Sequence, residues 1–410
     1  MSEPLHRTRP GGSAIRAARA EPAVGLGDGI WMHEGLSNSY LLEADGARVI
    51  VNTGMGFEGP VHREAFDAVD ASPTSHVILT QGHYDHVGGV DSFLEPGTEV
   101  VAQRNFWIWR DDNERLEAFR SRNAAFAWID AIMAAFEHAR DRGGAGQSRP
   151  EPTITFDAQV DLTIGGRDLA LYAVPGGETT DALVVWLPES RTLLSGNLFG
   201  PLFGHVPNLV TIRGDRYRDA LTYVSSLDLV LQLAPARLVT GHFDPIDGEA
   251  VIAEEVTRRR DATRYVHDRT VDGMNAGVDV TTLMREIRLP PELDVGEGYG
   301  TVRWNVRAIW ETYAGWFHHR STTELYAVGP LATAPDLVAA AGAHTLVEAA
   351  RRRLDSGQPV EALQLTDVVL AADPDEPAAR RVAIEAHEAL LAASDNFWEQ
   401  AWLRRAIERM

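Results

Sequence analysis

The chain's 410 residues are too many for one average domain, so two compact units, or a core with a helical appendage, are expected. A hydrophobic fraction of 44% with 24% charged residues fits a soluble globular protein, and the absence of cysteine excludes disulfides, thiolate ligands and thiol nucleophiles. A formal net charge of −21 argues against nucleic acid as a partner, while leaving open a small anion that answers to the local field of a pocket.

Residues 1–24 lack the apolar middle section of a secretory signal and read as a flexible tail rather than an organelle transit peptide. With no apolar run of membrane-span length, a cytoplasmic location is the expectation. From Gly29 to Gly54 the chain reads as strands, with a hairpin formed by Asn38–Leu42, the turn Ala44-Asp45-Gly46, and Arg48–Val51. Residues 60–70 look helical, and His76–Thr80 is a short buried strand that runs into Gln81-Gly82-His83-Tyr84-Asp85-His86-Val87-Gly88-Gly89. Glu99–Ala102 is the next strand, so the pattern alternates α and β. Residues 105–141 carry Trp, Phe, Ala and Arg at helical spacing, and 142–152 form a loop. Strands resume at Thr153–Phe156, Gln159–Ile164, Leu169–Val174, Ala182–Leu187 and Thr192–Ser195. A Gly/Pro-rich loop over 196–210 leads to a helix near Tyr217–Val230 and a strand at Ala236–Thr240, which delivers Gly241-His242. Beyond residue 249 helical periodicity dominates, interrupted at Leu289-Pro290-Pro291 and at 328–335. Leu346–Leu354, Val360–Ala371 and Pro377–Ala392 have the spacing of a tetratricopeptide-like helix pair, which is expected to pack on the rest of the chain or on another subunit.

The chemistry concentrates in Gln81-x-His83-x-Asp85-His86. A loop leaving a buried strand end is where α/β folds place ligands. Within six residues it offers an amide oxygen, two imidazoles and a carboxylate. Side chains 81 and 83 can converge on one point and 85 and 86 on another, a spacing suited to two cations sharing a water-derived ligand. Imidazole and carboxylate suit zinc, and also iron or manganese. The same side chains could instead serve only as loop hydrogen-bonders.

The segment resembles the His-x-His-x-Asp-His signature of the metallo-β-lactamase superfamily, with Gln81 in the first histidine's place. The remainder resembles the alkylsulfatase branch. Pro175-Gly176-Gly177-Glu178 is similar to the loop with a ligating Glu, Leu193-Leu194-Ser195-Gly196-Asn197 to the strand end with a bridging carboxylate, and Thr240-Gly241-His242 to the strand end with the last His. Asn208-Leu209-Val210-Thr211-Ile212-Arg213-Gly214 is similar to the segment whose Asn and Arg hold the sulfate group. The match continues in order through Tyr265-Val266-His267-Asp268, Met274-Asn275-Ala276-Gly277, Tyr299-Gly300-Thr301-Val302 and Gly315-Trp316-Phe317. The resemblance implies an αββα sandwich over 25–250 followed by an all-α dimerisation domain over 251–410, and a homodimer. It implies a site in which Gln81, His83 and Glu178 hold one cation and Asp85, His86 and His242 another, with Asn197 at the bridging position. The reaction it implies is hydrolysis of a small anionic ester, most simply an alkyl sulfate, by metal-activated water. Arg213 and Asn208 would bind the sulfate, and Asp85 or the metal-bound hydroxide would be the base.

Two departures from the family pattern have physical weight. Gln81 offers an amide oxygen where an imidazole is usual, and Asn197 removes a bridging negative charge. Two divalent cations would be incompletely neutralised, so one site should bind more weakly or accept a metal other than zinc. Two further readings stand beside the hydrolase: an iron-dependent oxygenase on the same scaffold, and a non-catalytic binding protein with a degenerate site. His33, His62, His76, His205, His318 and His319 read as surface or loop residues, with His205, close after the Asn197 strand end, the first of them to consider as a spare ligand. Phe106, Trp107, Trp109, Phe119, Phe126 and Trp128 read as core, some of them candidates to line an acyl-chain tunnel.

Overall fold

Period-two alternation of apolar residues sorts the strands into two sheets, each with one face toward the other. The computed structural model describes residues 3–142, 146–210 and 212–410. Part of the expected tail (1–2), part of the expected loop (143–145) and Thr211 of the sulfate-binding segment lie outside the described residues. The first sheet runs in chain order: β1 (Val24–Gly27), β2 (Ile30–His33), β3 (Ser39–Ala44), β4 (Ala47–Val51), β5 (Thr74–Ile78), β6 (Glu99–Gln103) and β7 (Ile154–Phe156). Its first four strands are antiparallel and the last four parallel. The second comprises β8 (Gln159–Ile164), β9 (Arg167–Ala173), β10 (Leu183–Leu187), β11 (Thr192–Gly196), β12 (Arg237–Thr240) and β13 (Ile246–Asp247), ordered β13-β12-β11-β10-β9-β8.

Tyr40, Leu42, Val49, Val51 and Ile78 of the first sheet pack against Leu169, Leu171, Val185, Leu194 and Val239 of the second. The alternate residues Leu41, Ile50 and Val77 face outward, where Ala65 and Phe66 of α1 (Gly59–Asp67) cover them. Short α2 (Tyr84–Val87) follows the β5 loop, and α3 (Phe106–Arg115), α4 (Glu117–Asn123) and α5 (Ile129–Ala139) follow β6. On the far side Tyr223, Leu227 and Val230 of α6 (Ala220–Leu233) and Ile252 and Val256 of α7 (Glu249–Asn275) cover Val184, Leu193 and Leu238. These layers are the expected αββα sandwich. Helices α8 (Val280–Glu286) and α9 (Val302–Ala314) follow.

Several expectations give way to packing. The expected flexible tail is built into the fold: Leu5 N donates to Glu255 at 3.1 Å, Arg7 pairs with Asp294 at 2.6 Å, and Ile15, Ala17 and Ala18 join a buried cluster with Leu36 and Phe57. The two compact units meet at Tyr313/Ala314, not at 250/251, because α7 buries Ile252 and Val256 against the second sheet. Helix α6 begins at Ala220 rather than near Tyr217 because the Asp219 side chain caps the Thr222 N–H at 2.7 Å. His33 and His62 are not surface residues but a buried pair, Nδ1 to Nδ1 2.7 Å apart. Phe119 is 46% exposed rather than core, since the 105–141 stretch breaks into three short helices and a 3-10 turn that together cannot bury every aromatic.

The second unit contains α10 (Ala334–Ala341), α11 (Ala343–Asp355), α12 (Pro359–Ala372), α13 (Pro377–Ala393) and α14 (Phe397–Glu408). Val347, Ala350, Ala362, Val369, Ala379, Val382 and Ala386 form its core, small side chains letting three helices close on one another. Among the described residues no helix is long and apolar enough to cross a membrane.

Leu42→Ala, which empties a fully buried position between the sheets, should cost about 2–5 kcal/mol and lower the urea midpoint. Phe119→Ala should shift the midpoint by no more than about 0.5 kcal/mol equivalent.

Candidate metal centre

Every expected ligand leaves one rim of the sandwich. Gln81, His83, Asp85 and His86 follow β5, Glu178 lies in the β9–β10 loop, Asn197 follows β11 and His242 follows β12. Close approach of these strand ends requires glycine: a Cβ at Gly196 would meet Thr80 Oγ1 at 2.4 Å, and Gly196 also sits at φ 48°.

The residues divide into two halves. In the first, Asp85, His86 and His242 offer ligand atoms that all lie within 4.8 Å of one another. His86 is fully buried. Its Nδ1 is 3.0 Å from Ser37 Oγ, its Nε2 3.4 Å from Asp85 Oδ2, and its backbone carbonyl accepts from Thr53 N at 2.8 Å. Anchoring one ring nitrogen while the other faces the site is how ligating histidines are oriented. Burial pushes the His86 imidazole down to about 4 and lowers His242 as well, so both are neutral, the form that ligates.

In the second half, His83 lies with Nδ1 3.1 Å from Gln81 Nε2 and 3.6 Å from Glu178 Oε2, and Nε2 3.4 Å from Asp215 Oδ2. Glu178 is 3.8 Å from Arg213 Nη2 and 3.5 Å from Arg218 Nη1. Burial opposes its charge, but Arg213, Arg218 and His83 outweigh burial and hold it well below the usual carboxylate range. For His83, burial and Arg213 lower the pKa, yet Asp215 and Glu178 prevail and raise it. Asn197 joins the halves, its Nδ2 3.2 Å from His242 Nε2 and 3.5 Å from Glu178 Oε2.

Arg213 is gripped by Asp215 (Nε to Oδ2, 2.7 Å) and by the Tyr299 hydroxyl (3.2 Å). Asp215 also pairs with Arg120 at 3.0 Å. Asn208, expected beside Arg213, lines a smaller space with Arg218 and Tyr223, and its amide oxygen and nitrogen are both buried without a hydrogen bond. Arg213 faces a larger cavity of about 310 Å³, reached also by His83, Asp85, Glu178, Asn197 and His242. Its other wall is apolar: Leu36, Met55, Trp128 and Ile132. His205 is no spare ligand, because its Nδ1 accepts from Gly298 N at 2.8 Å with Gly296 packed on the ring.

Sequence reasoning missed Ser37, Arg120, Asp181 and Asp215. Asp215 had a local signal, the Arg213-Gly214-Asp215 spacing. Ser37, Arg120 and Asp181 had none, being brought in by chain folding. Burial raises the Asp181 carboxyl to about 6 beside Gly82.

The donor set fits a divalent cation. Two neutral imidazoles and one carboxylate converge, and beside them Asn197 Oδ1 is buried without a hydrogen-bond partner, an arrangement expected of ligand sets more than of structural cores.

Residues 33–242 match the metallo-beta-lactamase superfamily model, and residues 280–409 match the alkyl sulfatase dimerisation model. The linear primary-alkylsulfatase of Pseudomonas sp. is 29% identical over 90% of this chain and 73% of its own length. The alkyl/aryl-sulfatase BDS1 of Saccharomyces cerevisiae is 23% identical over 93% of this chain, and this chain spans 62% of it. The solved inverting sec-alkylsulfatase Pisa1 from Pseudomonas sp. shares the fold, with a TM-score of 0.81 at 21% identity, over 94% of this chain and 65% of that one.

Asp215→Ala should take the shared carboxylate away from two half-buried guanidinium groups, Arg120 and Arg213. A loss of about 3–5 kcal/mol, read by thermal or urea unfolding, is the expected result.

Proposed function

The chain belongs to the metallo-beta-lactamase superfamily, and from that membership we propose that it is a metal-dependent hydrolase of alkyl sulfates. The observation that carries this reading is the polarity of the 310 Å³ cavity, with Arg213 and the ligand cluster on one side and Leu36, Met55, Trp128 and Ile132 on the other. An anionic head group on an alkyl chain matches both walls. The alkylsulfatases it resembles support the same substrate class.

Asp85, His86 and His242 are the ligands we assign to a cation, most simply zinc, with iron or manganese compatible with the same donors. A bound divalent cation supplies Lewis-acid charge that lowers the pKa of water at the site. Asp85 is half-buried at the cavity edge, placed to accept the proton of the incoming water. Arg213, held rigid by Asp215 and Tyr299, neutralises the sulfate oxygens as the ester is cleaved to alcohol and sulfate. Arg218, whose Nη1 donates to the Asn208 backbone carbonyl at 2.7 Å, supports the sulfate pocket from behind through Glu178. The match at 280–409 supports a homodimer.

A two-histidine, one-carboxylate set also suits non-haem iron, which favours a second reading as an oxygenase. Sulfate release from n-dodecyl sulfate by the zinc protein, without oxygen uptake by the ferrous protein, supports hydrolysis; the converse overturns it. His86→Ala should abolish sulfate release. Arg213→Ala should lower kcat/KM for dodecyl sulfate about 10²- to 10³-fold. A neutral carboxylic ester, lacking the sulfate charge, should be affected far less in a parallel assay.

A further inference from the structure

We infer that this site holds one divalent cation per chain, at Asp85, His86 and His242, and that guanidinium groups stand where a second cation would go. The inference concerns the same site as the proposed hydrolase and rests on its metal dependence, but not on its substrate. Three observations carry it.

The histidines differ in what their ring nitrogens face. His86 sets Nδ1 3.0 Å from Ser37 Oγ, and its Nε2, 3.4 Å from both Ser37 Oγ and the Asp85 carboxylate, lies within the Asp85–His242 cluster. His83 has both nitrogens engaged with the protein: Nδ1 toward Gln81 and Glu178, Nε2 toward Asp215 and Arg213. His86 keeps its Ser37 anchor while Nε2 ligates, whereas turning His83 to a cation would withdraw it from Glu178 or from Asp215, the two carboxylates that also face the arginines.

Charge separates the halves in the same sense. Around the first, the Asp85 carboxylate faces two imidazoles and no guanidinium lies within 4.0 Å of it among the described residues. Around the second, two carboxylates, Glu178 and Asp215, meet three guanidinium groups, Arg213, Arg218 and Arg120. Asp181, buried beside Gly82 and His83, adds a third carboxylate, so that half stands at zero before any metal arrives, against −1 around Asp85. Adding a dication beside Arg213 and Arg218 in a buried pocket is repulsive, whereas adding one beside Asp85 is attractive.

The third observation is the bridge. Asn197 stands between the halves, 3.2 Å from His242 and 3.5 Å from Glu178, and contributes no charge to offset repulsion between two cations. Gln81 adds only a neutral amide to the second half. With Arg213 and Arg218 neutralising Glu178, that carboxylate acts as a counter-ion that positions the sulfate-binding arginines rather than as a ligand.

The test counts metal on the full chain. Apo protein is titrated with Zn²⁺ by calorimetry, and Mn²⁺-loaded protein is examined by electron paramagnetic resonance. One equivalent per chain and an uncoupled Mn²⁺ spectrum are expected. Glu178→Gln should keep one equivalent with affinity changed less than about threefold, whereas His86→Ala should lose it, folding of both being checked by circular dichroism. Two equivalents in the parent protein, an exchange-coupled Mn²⁺ pair, or loss of the single equivalent on Glu178→Gln would each overturn the inference while leaving a metal hydrolase intact. No binding at all would overturn both the inference and the proposed function. The parent stoichiometry decides the matter even if a variant fails to fold.

Discussion

Two backbone hydrogen bonds cross from one sheet to the other at the rim that carries the site. Leu183 N at the start of β10 donates to Thr80 O just past β5 at 2.9 Å, and Asn38 N before β3 donates to Gly241 O just past β12 at 2.8 Å. Buried backbone groups must find partners, and here the partners belong to the opposite sheet. The consequence is positional. The first bond sets Gln81 and His83 opposite the Glu178 loop, and the second brings Ser37 and His86 up to His242. Asn52, in the left-handed region at φ 60°, adds its side-chain oxygen to Thr80 N at 3.0 Å, so the end of β4 is tied into the same junction. Strain of that kind is maintained only where surrounding contacts enforce it.

On this frame the site is built from charges that cannot be left alone. Glu178 is 4% exposed, and its side-chain charge is answered by Arg213 and Arg218; Arg213 is answered in turn by Asp215, which also holds Arg120. Such a network is costly to break and contributes rigidity more than net stability. Its value lies in orientation: a guanidinium already fixed at a cavity wall loses little entropy when an anion arrives. The opposite wall, Leu36, Met55, Trp128 and Ile132, comes from the β2–β3 loop, the β4–α1 loop and the α4–α5 region. Polar and apolar recognition are thus assigned to separate parts of the chain.

Much of the architecture was legible in the sequence because both main signals are local. Alternating apolar residues define β3, β4, β10 and β11 whatever else the chain does, and the Asp45-Gly46 turn closes the first hairpin with Gly46 at φ 69°. The ordered resemblance pointed to candidate ligands on four loops, of which Asp85, His86 and His242 cluster. What escaped was non-local. The 3–24 segment looks like a tail by composition, yet Ala18 N donates to buried Glu58 at 2.8 Å, a partner 40 residues away. His33 and His62 looked like loop residues because nothing near either one announces the other. Arg120 carries no motif; only the fold of α4 over the site brings it to Asp215.

By itself, then, the sequence determined which chemical groups are present and which strand ends deliver them, since composition, alternation and motif spacing are properties of short stretches. It also contained the two departures, Gln81, which replaces an imidazole donor by an amide, and Asn197, which removes a bridging charge. Only the tertiary structure decided how those groups are partnered. Whether His83 meets a cation or a carboxylate depends on Asp215, 132 positions on, and whether Glu178 ligates or pairs depends on Arg213 and Arg218. The physical reason is that a side chain's role in a buried site is set by the charge and hydrogen-bonding capacity within a few ångström, and those neighbours are chosen by chain folding rather than by adjacency in the chain.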